Sequence, residues 1–157
     1  MNNNDLYTSS HSVTPLNVVW FKRDLRLQDH APLAEALARQ GPILALYIVE
    51  TSLLRDPHYR RRHWHFIAQS LVSMQEALSQ HGGKLWVLEG DALTLLAELH
   101  RLRPIDTLLS YEETGLEVTY ARDRAVADFT QKSGICPELG LICLTVQKSS
   151  AEYRDRL

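Results

Sequence analysis

The chain has 157 residues, 45% of them hydrophobic and 23% charged, a composition that suits one globular domain and leaves no room for a second full one. Lys and Arg number 17 against 19 Asp and Glu, a net charge of −2. The chain therefore lacks the basic excess from which a stand-alone DNA-binding protein draws most of its non-specific affinity. No run approaches the roughly 20 apolar residues of a membrane-spanning helix, and the polar start Met1–Thr14 has no apolar secretory segment, so no membrane association and a cytoplasmic location are expected. Cys136 and Cys143 have no His or Cys partner at metal-ligand spacing and read as free thiols.

In chain order, residues 1–15 are rich in Asn, Ser and Thr without periodicity and read as a flexible tail. Asn17–Phe21 is a short apolar run with β-forming residues, and Pro42–Val49, Lys84–Leu88 and Asp106–Ser110 repeat its type. Runs that are continuously apolar indicate strands covered on both faces, as in a parallel sheet. Between them, Pro32–Gln40 predicts a helix stopped by Gly41. A longer helix is expected to start with Asp56 as cap and Pro57 in its first position. Trp64, Ile67, Ala68, Leu71, Val72, Gln75 and Leu78 would form its inward face, and Gly82 and Gly83 would end it. Asp91 opens a helix carrying Leu93, Leu96 and Leu99, and Val118, Ala121, Ala125 and Phe129 mark a further one ending near Gly134. A fifth apolar run, Leu141–Val146, is expected to close the sheet.

The predicted architecture is α/β: a five-stranded, doubly wound parallel sheet, Rossmann-like, with helices on both faces. It occupies residues 16–147, with 148–157 as a C-terminal tail. Ligands of such sheets bind beyond the carboxyl ends of the strands where the strand order reverses, which selects the loops 21–30, 49–55 and 110–116.

The first of these loops carries neither the G-x-G-x-x-G of a dinucleotide site nor the Gly-Lys-Ser/Thr of a P-loop. It holds Lys22, Arg23 and Arg26 beside Asp24 and Asp29, so any anion there must be met by side chains. The alternative is a salt-bridged turn in which Arg26 pairs with a carboxylate and Asp29 caps the next helix. Arg60, Arg61 and Arg62 beside His63, Trp64 and His65 present two readings of the same kind: a nucleic-acid contact, or a solvated helix start with one inward aromatic. The seven histidines form no metal motif, Ser70 and Ser110 lie in no nucleophile elbow, and no catalytic residue is assigned.

The same loop also carries a resemblance. Trp20, Phe21, Lys22, Arg23, Asp24, Leu25, Arg26 and Leu27, followed by Asp29 and Leu33, resemble the opening signature of the photolyase/cryptochrome family. Ala45–Ile48, Arg62 with Phe66, Ser70 and Leu71, then Gly83, Leu85, Val87 and Gly90, then Tyr111, Glu112 and Glu113 with Ala121, Arg122 and Asp123, are similar to that family in order and spacing. The resemblance implies an amino-terminal α/β domain from a blue-light-dependent DNA-repair or photoreceptor flavoprotein. Such a domain binds a small aromatic antenna chromophore: a folate, a deazaflavin, a flavin or a lumazine. The implied site residues are Phe21, Tyr47 and Ile48 as apolar wall, Lys22, Arg23 and Arg26 toward an anionic part, and Glu112 or Glu113 toward ring N–H groups. Glu112 and Glu113 have the alternatives of facing water or capping the helix near Leu116, and Phe21 and Tyr47 the alternative of being core.

Residues 135–157 depart from the family's continuation, and the helical domain that holds FAD is absent from the chain. Photochemical splitting of pyrimidine dimers is therefore not expected of this chain alone, and DNA contact is expected only through a full-length parent. A surface shaped for a partner domain predicts self-association or a partner. The rival function is a chromophore-free scaffold or oligomerisation module of the same fold, with a nucleotide-binding α/β protein further behind for want of a glycine loop.

Overall fold

The computed structural model describes residues 13–113 and 116–135. Its four parallel strands are β1 (Leu16–Phe21), β2 (Ile43–Glu50), β3 (Leu85–Gly90) and β4 (Ile105–Leu109), arranged β3-β2-β1-β4. The expected sheet had five strands, and the described one has four; the apolar run 141–146, like residues 1–12 of the expected amino-terminal tail and all of 148–157, lies outside the described residues. The helices are α1 (Ala31–Ala38), α2 (Thr51–Leu54), α3 (Arg61–Ser79), α4 (Ala92–Leu102) and α5 (Glu117–Lys132).

All six residues of β1 are buried because the strand lies between β2 and β4 and helices cover both faces. Val18 and Trp20 join Leu46, Ile48 and Leu108 under α4 and α5, where Leu96 and Val126 pack. Val19 and Phe21 join Ala45, Tyr47 and Leu109 under α1 and α3, where Ala36 and Met74 pack. The chain thus crosses from one face to the other after β3, and strand order reverses between β1 and β4.

Three local expectations are corrected. Asp56 does not cap α3: its carboxylate accepts the His58 backbone N–H and the His58 ring N–H in a tight turn, while residues 51–54 form the unforeseen α2 and α3 begins at Arg61. Asp29 does not cap α1: it adopts φ +49, and His30 Nδ1 accepts the Leu33 N–H instead. Arg26 pairs with no carboxylate among the described residues; it donates to the Asp29 carbonyl at 3.2 and 3.4 Å. The end of α3 follows expectation, with Gly82 at φ +72 and the Gly83 N–H returning to the Leu78 carbonyl at 2.8 Å.

Candidate functional site

Beyond the carboxyl ends of β1, β2 and β4 the chain buries a group of charges. Lys22 follows the last residue of β1, and its side chain is 3% exposed. Its ammonium donates to both oxygens of Asp123, each at 2.9 Å, and to the Tyr111 carbonyl at 2.8 Å, so all three of its N–H groups are used. Burial pulls its pKa below the ordinary lysine value despite the facing Asp123. Asp123 projects from α5 and also accepts the Glu113 backbone N–H at 2.9 Å, tying the loop after β4 to the helix.

Arg122, the neighbour of Asp123, spreads its guanidinium over three carboxylates: Glu50 at the end of β2, Glu113 after β4, and Asp123 at 2.7 Å. Burial opposes its charge, but these three anions outweigh it and hold the arginine above its ordinary pKa. Lys22 Nζ lies 4.4 Å and Arg122 Cζ 5.0 Å from the ring centre of Trp20, so the indole floors both cations. One residue pair on α5 thus binds together the ends of three strands.

Beside this network opens a cavity of about 370 Å³. Phe21, Leu25, Tyr47, Ile48 and Ile67 supply apolar wall; Glu50, Glu113 and Arg122 supply a polar side, and Tyr59, just before α3, and His63, in its first turn, border it. Burial raises the Tyr47 and Tyr59 hydroxyls above the ordinary phenol range, so both remain neutral donors.

Of the residues singled out from the sequence, Phe21, Lys22, Arg23, Tyr47, Ile48 and Glu113 line this cavity. Arg26 and Glu112 do not. They border an adjoining open basin of about 400 Å³ together with Asp24 and Tyr111. Arg23 and Glu113 border both spaces, with Arg23 Nε 3.6 Å from Glu113 Oε1. Glu113 is buried and does not cap α5, whose N-cap Leu116 makes no side-chain cap bond. Phe21 and Tyr47 are at once core and cavity wall.

Glu50, Tyr59, Arg122 and Asp123 were not read as site residues. The signal lay in α5. Thr119, Asp123, Val126 and Thr130 recur at helical spacing and are its buried residues, whereas Val118 and Ala121 of the expected apolar face are exposed. A stripe that is mostly polar yet faces inward marks a buried network. Among the described residues no cluster of His, Cys, Asp and Glu is arranged to hold a metal, and no helix is long and apolar enough to cross a membrane.

The fold and site define a doubly wound parallel α/β domain with a ligand-sized cavity beyond its strand ends. The DNA photolyase family profile matches residues 17–139. The chain belongs to the DNA photolyase family and corresponds to its amino-terminal α/β region. It is 31% identical over 121 residues to a deoxyribodipyrimidine photo-lyase of Agrobacterium fabrum, covering 75% of this chain and 24% of that protein. The crystal structure of a bacterial class III photolyase from Agrobacterium tumefaciens superposes with a TM-score of 0.66 at 29% identity, covering 83% of this chain and 26% of that one. A Synechocystis cryptochrome structure superposes with a TM-score of 0.73 at 27% identity, covering 78% and 26%. The chain therefore spans about a quarter of the length of these relatives.

Proposed function

We propose that this chain is a light-collecting domain that binds one small, flat aromatic chromophore in the cavity beyond β1 and β2. The observation that carries the reading is the cavity itself. Its volume of about 370 Å³ falls within the span of small-molecule sites, and it joins an aromatic and aliphatic wall to a few fixed polar atoms. A folate, deazaflavin, flavin or lumazine ring has that shape and that mixture of edges and faces.

On this reading Phe21, Tyr47 and Ile48 contact ring faces and edges, and Glu113 accepts from a ring N–H. Lys22 is committed to Asp123 and acts by holding the wall in place. Arg23, whose side chain is 58% exposed, meets an anionic part at the rim. FAD and the flavin photochemistry belong to a helical domain of a longer parent, and DNA is met through that parent. The names of the relatives, photo-lyases and cryptochromes among them, support this placement.

The test is optical. The purified chain is expected to absorb beyond its own aromatic bands after dialysis, or to bind added folate or flavin with a saturable spectral change. A colourless protein that ignores both compounds would leave the scaffold reading in its place. One observation favours an interaction role alongside the chromophore: Leu37, Phe66, Val72, Leu102, Trp86 and Val87 are all about half or more exposed. Self-association or docking against a partner domain covers such residues, and sedimentation is expected to show mass rising with concentration. A strict monomer at high concentration contradicts self-association.

A further inference from the structure

The side of α3 turned away from the sheet carries a pattern of its own. Ile67, Leu71, Met74 and Leu78 meet the sheet. On the opposite side of the helix lie Arg62, Phe66, Gln69, Val72 and Glu76, all exposed, with Phe66 at 68% and Val72 at 58%. Their steps of four, three, three and four read the same in both directions, and Gln69 stands at the centre. Arg62 and Glu76 are equidistant from it, as are Phe66 and Val72. Neither Arg62 nor Glu76 forms an ion pair among the described residues.

The charges also run against their own helix. α3 has no acid in its first turn and no base in its last; Arg61 and Arg62 stand at its amino end and Glu76 near its carboxyl end, the reverse of what the macrodipole favours. An antiparallel second α3 changes the sign of both interactions. Arg62 then reaches the carboxyl end of the second helix beside its Glu76, and Glu76 reaches the amino end beside its Arg62. The exposed pair at the edge of the sheet, Trp86 and Val87 of β3, offers no such match. Two-fold pairing of edge strands sets side chains of the same face opposite each other, whereas Lys84 lies over Trp86 and Glu89 projects from the other face.

We infer that two copies of this chain pair through the outer faces of α3, antiparallel about a two-fold axis at Gln69. Phe66 of each copy packs on Val72 of the other, Arg62 meets Glu76 at both ends, and the two Gln69 amides face each other as donor and acceptor. This rests on the self-association reading and gives it a surface and a register. One helix pair makes a small interface, so the dimer is weak and α3 is uncovered in dilute solution.

Sedimentation equilibrium of the full chain, over a wide range of concentration, compares the parent with Arg62→Glu, Glu76→Arg, the two combined, and Val87→Lys at the edge of β3. Each single swap turns two attractions between copies into two repulsions and is expected to weaken dimerisation about tenfold or more. Both single swaps suit the macrodipole of their own helix, so neither loses association by unfolding α3. The combined variant restores the parent's dimer, and Val87→Lys leaves it unchanged. A dimer that persists in both single variants, that the combined variant fails to restore, or that Val87→Lys abolishes overturns the α3 register while self-association stands. A strict monomer at every concentration removes the self-association reading and this inference together.

Discussion

Lys22 occupies a place where an unpaired cation would be prohibitively costly, and Asp123 is what makes that place habitable. Removing one partner of such a buried pair costs about 3–5 kcal/mol, because the other charge is left desolvated. The neighbouring Asp24 does comparable work for the first loop. Burial pushes its carboxyl pKa up, but hydrogen bonds from the His30 ring and the Lys22 backbone N–H outweigh that and hold it below the ordinary 3.8. Because His30 Nδ1 accepts the Leu33 N–H, the ring proton sits on Nε2 and points at Asp24. A carboxyl with a depressed folded-state pKa stabilises the fold above the unfolded value and loses that contribution as pH falls through the folded one. Asp24→Asn is therefore expected to destabilise the protein by about 1.5–3 kcal/mol near neutrality, since the amide has one acceptor oxygen where the carboxylate used two, and either the Lys22 backbone N–H or the buried His30 Nε2–H loses its partner. Urea unfolding of both proteins at descending pH should show the gap closing below pH 3.8. A gap that stays constant would assign Asp24 a packing role only.

At the scale of elements, α3 shows how an apolar pattern and an apolar face part company. Its pattern is broad, and the expected stripe included Ala68 and Val72, both of which are exposed. The stripe that meets the sheet is Ile67, Leu71, Met74 and Leu78, at steps of four, three and four. Gln75, placed on the apolar face, instead accepts the Leu85 N–H at 2.8 Å and so anchors the start of β3. Among the described strands β3 lies at the edge of the sheet, and a helix over an edge strand has less of its surface covered than one over the centre. Met74→Ala is expected to cost about 2–5 kcal/mol, the range for emptying a core position. Val72→Ala should fall within about 0.5 kcal/mol of the parent. Thermal or urea unfolding compares the two directly, and similar losses at both positions would mean that the outer face of α3 is covered in solution.

At the scale of the whole molecule, the site exists because strand order reverses between β1 and β4. The reversal leaves a gap between the loops after those strands, and α5 closes its floor with Arg122 and Asp123. Each of the three loops that topology selected in advance contributes to the lining of the cavity or the basin, together with the end of β2, residues 58–67 and Arg122 of α5, so the general location of the cavity was legible in the alternation of strands and helices. The partners inside it were not. Arg122 faces Glu50 across 72 positions of chain, and Lys22 faces Asp123 across 101.

Local pattern was enough for the parallel α/β class, the four described strands to within a residue or two, and the amino-terminal signature with its glycine-free first turn. These depend on hydrophobic period, strand-forming runs and stop residues, all of which act between near neighbours. Which charges are buried, which arginine lines the cavity and which the basin, where α3 begins and which of its sides faces inward were settled by packing. Those outcomes turn on the desolvation of charged groups and on coverage at the sheet edge, and both depend on residues that the chain brings together only after it has folded.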